Sequence, residues 1–234
     1  MTRTFRYHAL IVAAGTGWRF ASGIPKQYAL LDGKPVLQHA IDRLAAGFPV
    51  NEIGVAIAPG DRWYEQAIGE QNGVRLLRCG GKTRAETVRN ALAALAAAAS
   101  DDWIVVHDAA RPLVDAASLV RLQCELADDD VGGLLAVPVV SALKRADDSG
   151  RVASTQPREQ LWQAQTPQMF RCGVLRRALA QPGADLAVDC AQAVEHLGLR
   201  PRLVAGSANN LKISYPEDLM LAAAILAAER GEKK

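Results

Sequence analysis

The chain has 234 residues and a mass of 25.0 kDa, with 50% hydrophobic and 22% charged residues, a balance that excludes wholesale disorder. Its 27 Lys and Arg against 25 Asp and Glu leave a net charge of +2, too little for a global nucleic-acid footprint. Any basic cluster must be local, and a local cluster points to a small anionic ligand.

Arg3 and Arg6 precede the apolar run from Ala9 to Ala14, which is shorter than the roughly 7–15 residues of a signal core and reads as a first strand. Leu37, Ile41, Leu44 and Phe48 then share one helix face. Ile53 to Ala58 and Val74 to Cys79 read as the second and third strands. Val88, Leu92, Leu95 and Ala99 mark the next helix, and Thr83 with Glu86 fits a capping box at its start. Trp103 to His107 is a fourth strand, Leu119, Leu122 and Leu126 lie on a helix, and Gly133 to Val140 is a fifth strand. From Ser141 to Gln160 the periodicity fails and polar residues dominate. A stretch of that length is either functional or an interaction arm. Leu161 to Ala164 reads as a short strand, and Asp189 to Leu197 and Pro216 to Ala228 as helices, with Ser214 and Glu217 forming a second capping box.

Strands alternating with helices predict an α/β fold: one domain over residues 1–234, with a Rossmann-like, mainly parallel twisted sheet and helices on both faces. The strands are near-continuous apolar runs, as a sheet covered on both faces requires. The apolar stretches Ala91–Ala99 and Leu219–Ala228 are too short to span a bilayer. Cys79, Cys124, Cys172 and Cys190 show no metal spacing and read as reduced, mostly buried thiols. A cytoplasmic protein is expected, with no membrane and no nucleic-acid partner.

In such sheets ligands sit at the carboxyl ends of the strands. The loop after the first strand holds Gly15 and Gly17, with Arg19 and Lys26 close behind. Phe20 stands where a dinucleotide fingerprint needs its third glycine. The loop reads either as a phosphate cradle or as a glycine turn with two solvated bases. Gly80-Gly81-Lys82-Thr83-Arg84 resembles half a P-loop, but Leu76 replaces its first glycine, which opposes an ATPase. Asp108, at the end of the fourth strand, can ligate Mg²⁺ and Arg111 can grip an anion; equally, the two can pair to order a turn. Arg158 and Lys212 are further bases, each readable as a surface charge. No Ser-His-Asp or Cys-His arrangement is present, and His107 is expected to pack beside Asp108.

Taken in order, Gly15-x-Gly17-x-Arg19, Pro25-Lys26-Gln27-Tyr28, Gly80-Gly81-x-x-Arg84, Val106 to Pro112, Trp162-x-x-x-Thr166-Pro167-Gln168 and Asn210-x-Lys212 before Pro216-Glu217-Asp218 resemble the 2-C-methyl-D-erythritol 4-phosphate cytidylyltransferases. The resemblance implies attack of a substrate phosphate on the α-phosphorus of CTP, with pyrophosphate leaving. It implies that Arg19, Lys26 and Lys212 stabilise the reacting phosphates and that Ala13, Ala14, Gly15, Gly81 and Thr87 line the cytidine pocket. It implies that Asp108 helps to place Mg²⁺, that Asp108, Arg111, Arg158 and Thr166 hold the methylerythritol phosphate, and that an arm over residues 139–160 interlocks a homodimer and lends Arg158 to the neighbouring site.

The departures are Ala142, where many members have Thr, Val188 and Cys190 in place of Thr and Glu, Lys82 after the paired glycines, and Asn209. Ala142 and Val188 keep a second acceptor open, such as ribitol 5-phosphate. A third reading is a catalytically silent nucleotide-binding module on the same fold.

Overall fold

The computed structural model of the chain describes residues 5–15, 17, 20, 23–50, 52–95 and 97–231. The first apolar run forms strand β1 (Tyr7–Val12). After a 3₁₀ turn at Lys26–Tyr28, the chain makes a small hairpin of β2 (Leu30–Leu31) and β3 (Lys34–Pro35) and enters helix α1 (Val36–Gly47). β4 (Ile53–Ala56), α2 (Tyr64–Ala67), β5 (Val74–Leu77), α3 (Arg84–Ala94), β6 (Trp103–Asp108), α4 (Ala116–Leu126) and β7 (Gly132–Pro138) follow. Next come the hairpin strands β8 (Leu143–Ala146) and β9 (Val152–Gln156), then β10 (Trp162–Arg171), α5 (Cys172–Leu179), α6 (Cys190–Glu195), β11 (Arg202–Ala205) and α7 (Glu217–Glu229).

Seven strands form the central sheet in the order β11-β7-β10-β6-β1-β4-β5. All neighbours pair in parallel except β10, which is antiparallel to both β6 and β7. The chain runs outward from β1 through β4 to β5, then returns by α3 to β6 on the other side of β1. The loops after β1 and β6 therefore part at a switch point, where open α/β sheets bind ligands.

Alternation sorts the two faces of the sheet. Ala9, Ile11, Trp103 and Val105 pack with Leu37, Ile41 and Leu44 of α1 and Leu119, Leu122 and Leu126 of α4. Leu10, Ile104 and Val106 turn the other way, onto Val88 and Leu92 of α3, Leu175 and Leu179 of α5 and Val194 of α6. Each fully buried apolar side chain gains roughly 1.5–3 kcal/mol over leaving it in water. A third cluster joins Leu31, Val36, Leu113 and Ile213 to Ala222 and Leu226 of α7, which brings the C-terminal segment to the β6 loop.

Several expectations change. Thr83 caps α3 by accepting a bond from the Glu86 N–H at 3.1 Å, but the Glu86 carboxylate accepts from the Lys82 N–H rather than from Thr83. That helix stops at Ala94; Arg176 donates to the carbonyls of Leu95 and Ala98 beyond it. The second capping box does not form. Asp218, not Glu217, accepts from the N–H groups of Ser214 and Tyr215. The aperiodic stretch folds as the β8–β9 hairpin, a sheet of its own. The short strand expected at residues 161–164 is the beginning of β10, a ten-residue strand inside the central sheet. Cys172 and Cys190 are buried, Cys79 is half-buried and Cys124 is exposed, all as free thiols.

Candidate active site

A cavity of about 540 Å³ opens beyond the carboxyl ends of β1 and β6, within the range of small-molecule sites. Its wall brings together Ala13, Ala14 and Gly15 from the first loop, Gly81 and Thr87 from the start of α3, and Lys26 and Lys212. Arg19 lies outside the described residues. Lys26, Lys82, Arg84 and Lys212 face one carboxylate on this wall, Asp108. Such an excess of cations suits a polyanion.

Local bonds set each part. The buried Gln27 amide donates to the carbonyls of Ala13 at 2.8 Å and Gly15 at 3.1 Å, so the Lys26 turn is tied to the first loop. Lys26 Nζ donates to the Ile213 carbonyl at 2.8 Å, beside Lys212. Gly17 has φ +62°, and a Cβ there would lie 3.1 Å from Lys26 Cγ, so glycine lets the loop close over the lysine. The Thr87 hydroxyl accepts from the Gly81 N–H at 3.0 Å and donates to the Thr83 carbonyl at 2.9 Å, which fixes the glycine pair against α3. The Ile213 N–H donates to the Ala110 carbonyl at 2.8 Å and anchors the Lys212 segment to the β6 loop.

Gly15 differs from Gly17. A Cβ on it meets nothing within 4 Å, and its backbone lies outside the left-handed region. Gly15→Ala should therefore fold with an unchanged melting temperature while its methyl intrudes on the cavity. The KM for CTP, the nucleotide that the resemblance implies, is expected to rise about tenfold, and an unchanged KM would place the nucleotide elsewhere.

A second cavity of about 150 Å³ adjoins the first. Arg111, Gln165, Thr166, Gln168, Val188 and Asp189 line it. Arg84, Asp108 and Lys212 line both. Asp108 Oδ1 accepts from Arg84 Nε at 2.9 Å, and Oδ2 accepts from Lys212 Nζ at 2.6 Å. Burial alone would raise the Asp108 carboxyl; the charges of Arg84 and Lys212 overcome it and hold the group well below the usual carboxylate range.

His107 explains how Asp108 is held. Burial lowers the imidazole to about 4, so it is neutral at physiological pH. Its Nε2 lies 2.9 Å from the Arg111 carbonyl, which can only accept, so Nε2 carries the proton. Nδ1 then accepts from the Thr166 hydroxyl at 3.0 Å, while that hydroxyl accepts from the Asp108 N–H at 3.0 Å. Thr166 thus lines the cavity but spends its proton inside the protein. Arg111 likewise donates to the carbonyls of Asn210 at 2.6 Å and Ala164 at 3.3 Å.

The depressed His107 value has a stability consequence. The unfolded imidazole takes its proton near pH 6.5, and the folded one only near 4. The stabilisation is complete above the higher value and is lost as pH falls between the two. It amounts to about 3 kcal/mol. Melting temperature should decline over that window, and His107→Gln should flatten the decline; an unaltered slope would assign it to other groups.

The model of the 2-C-methyl-D-erythritol 4-phosphate cytidylyltransferase family matches residues 7–228. The chain belongs to that family. A cytidylyltransferase of this name from Dechloromonas aromatica is 50% identical over 228 residues, covering 96% of this chain and 99% of the relative. One from Nitrosomonas eutropha is 51% identical over 226 residues, covering 94% and 97%. Among solved structures, a 4-diphosphocytidyl-2C-methyl-D-erythritol synthase superposes with a TM-score of 0.84 at 39% identity, covering 96% of this chain and all of that one. The cytidylyltransferase from Francisella tularensis gives 0.81 at 32% identity, covering 93% and 98%.

Not every residue expected from the cytidylyltransferase resemblance sits at these cavities. Arg158 lies outside both walls, exposed in the turn between β9 and β10, where its Nη1 donates to the Val140 carbonyl. Arg84 and Gln27 are central, yet the loops alone gave neither a role. The Gly80-Gly81-x-x-Arg84 spacing held the signal for Arg84, which opens α3 just after the paired glycines.

Proposed function

We propose that the chain transfers the cytidylyl group of CTP to 2-C-methyl-D-erythritol 4-phosphate. The products are 4-diphosphocytidyl-2-C-methyl-D-erythritol and pyrophosphate, a step of isoprenoid precursor biosynthesis. The observation that carries this reading is the pair of adjoining cavities, one large and cationic, one small, meeting at Arg84, Asp108 and Lys212. Two substrates bound on either side of that wall would bring a phosphate nucleophile to a nucleotide phosphorus.

The chemistry needs no general base, because a phosphomonoester is largely ionised at pH 7, its second pKa being about 6. It needs positive charge around a crowded anionic transition state and in-line placement. Lys26, Lys212 and Arg19 supply the charge in this reading. Ala13, Ala14, Gly15, Gly81 and Thr87 shape the cytidine side, and Asp108, Arg111 and Thr166 the acceptor side. A substrate oxygen bonds to the α-phosphorus as the bond to pyrophosphate breaks.

The donor set also fits a divalent cation that arrives with the triphosphate. One carboxylate, Asp108, reaches the large cavity, and no cluster of three His, Cys, Asp or Glu occurs among the described residues. Mg²⁺ is commonly held in that manner, by one or two carboxylates with phosphate oxygens and water. Bound there, it would neutralise charge on the departing pyrophosphate. Chelation should abolish turnover, and metal-independent turnover would remove that role from Asp108.

We further assign a homodimer through the arm at residues 139–160. β8 and β9 pair only with each other, and Val140 and Val152 are 79% and 63% exposed. A second copy would cover them and receive Arg158. No helix among the described residues is long and apolar enough to cross a membrane, and we place the enzyme in the cytoplasm.

The test is pyrophosphate release from CTP with 2-C-methyl-D-erythritol 4-phosphate and with ribitol 5-phosphate. The first should support turnover and the second should not. Preference for ribitol 5-phosphate would reassign the acceptor, and CTP binding without turnover for either would make the chain a silent nucleotide-binding module.

A further inference from the structure

The wall shared by the two cavities consists of charges that are held unequally. Arg84 and Lys212 both bond the Asp108 carboxylate, and one negative charge cannot neutralise two positive ones. The Arg84 side chain is 19% exposed and that of Lys212 is 41% exposed. Arg84 opens helix α3, and its Nη1 also reaches the sulfur of Cys190 at 3.4 Å. Burial pushes the Cys190 thiol up, so the sulfur is uncharged and a weak acceptor. The Arg84 Nη2 is buried with no acceptor. Asp108 is therefore the one charged partner bonded to this guanidinium among the described residues.

An arriving phosphate competes with Asp108 for its cations. Lys212 can leave, since its stem is flexible and its ammonium donors rotate to a new acceptor. Arg84 cannot follow without breaking a buried pair and stranding a carboxylate.

We propose that Arg84 is a positioning residue of the transfer reaction: it anchors Asp108 in the wall between the cavities, so that Lys212 is passed from Asp108 to the substrate phosphates. The proposal rests on the reading that phosphates occupy both cavities. Without Arg84, Lys212 would be the sole cation bonded to Asp108 and would be retained there. The carboxylate would also lose the Nε–H donor that aligns its Oδ1.

A double-mutant cycle tests this. Asp108→Asn and Lys212→Ala, measured singly, check the reading beneath it; each should lower kcat about 100-fold, and full turnover in both would overturn the site itself. Arg84→Met should also lower kcat about 100-fold, with the KM for CTP within about threefold of the parent. Because Arg84 acts through Asp108, the kcat of Arg84→Met/Asp108→Asn should lie within about threefold of Asp108→Asn alone. A product of the two losses, about 10⁴-fold, would mean that Arg84 acts independently and would overturn the proposal. So would unchanged turnover in Arg84→Met. If Arg84→Met fails to fold by circular dichroism, the same cycle is run with Arg84→Lys, which keeps the charge. Its smaller single loss should likewise vanish in the Asp108→Asn background, and persistence of that loss would overturn the proposal.

Discussion

Lys26→Ala is expected to lower kcat by about 10²–10³-fold while the KM for CTP rises less than about tenfold. The asymmetry follows from where the side chain sits. Lys26 is half-buried under the first loop, and its Nζ donates to the Ile213 carbonyl at 2.8 Å. That bond fixes the ammonium beside the Lys212 segment. The same carbonyl adjoins Lys212, which places two ammonium groups on one wall of the large cavity. In the proposed reading, ground-state binding of CTP draws on the whole cavity, which Ala13, Ala14 and Gly15 line. Charge on the pentacoordinate phosphorus and the leaving pyrophosphate grows only in the transition state, where a preplaced ammonium counts most. Steady-state rates with CTP varied decide the matter. Unchanged turnover would remove Lys26 from the mechanism, and a loss confined to KM would reduce it to a binding residue.

Arg158→Ala should raise the KM for the polyol phosphate at least about tenfold, with little change in the KM for CTP. Arg158 is exposed in the turn between β9 and β10 and lines neither cavity of its own chain. In the proposed dimer it serves the neighbouring site. A mixture of subunits tests that directly. Lys26→Ala and Arg158→Ala subunits, each impaired alone, should together recover about a quarter of the parent activity. Half of randomly mixed two-fold dimers are heterodimers, and each heterodimer holds one intact site. No recovery, with mixed dimers demonstrated by mass, would confine each site to a single chain. Equal effects of Arg158→Ala on both KM values would place that guanidinium somewhere other than the acceptor.

Much of the fold was open to the sequence because its parallel strands are covered on both faces. Trp103 to Val106 and Ala9 to Ile11 must be apolar throughout, and a continuous apolar run between turns announces itself. β10 did not. It carries Gln165, Thr166 and Gln168 at buried positions, and these polar groups are satisfied by partners from elsewhere. Gln165 donates to the Ser207 carbonyl, Thr166 bonds His107, and the Gln168 oxygen accepts from the N–H groups of Cys190 and Ala191. Without those partners in view, the segment has the composition of a loop. Helix α7 shows a similar limit. Its place was clear, but Asp218, one residue later than the capping pattern marks, accepts from the N–H groups of Ser214 and Tyr215.

The site divides in the same way. From the sequence alone came the loops with their small residues and bases and the capped start of α3, since each depends only on near neighbours along the chain. Tertiary structure decided which charges meet. Arg84 and Lys212 stand 24 and 104 positions from Asp108, yet they take one oxygen each of the same carboxylate. Coulomb energy depends on separation in space and on burial, neither of which is written in spacing along the chain. Only when α3, β6 and the segment before α7 pack together does a set of ordinary bases become one wall between two cavities.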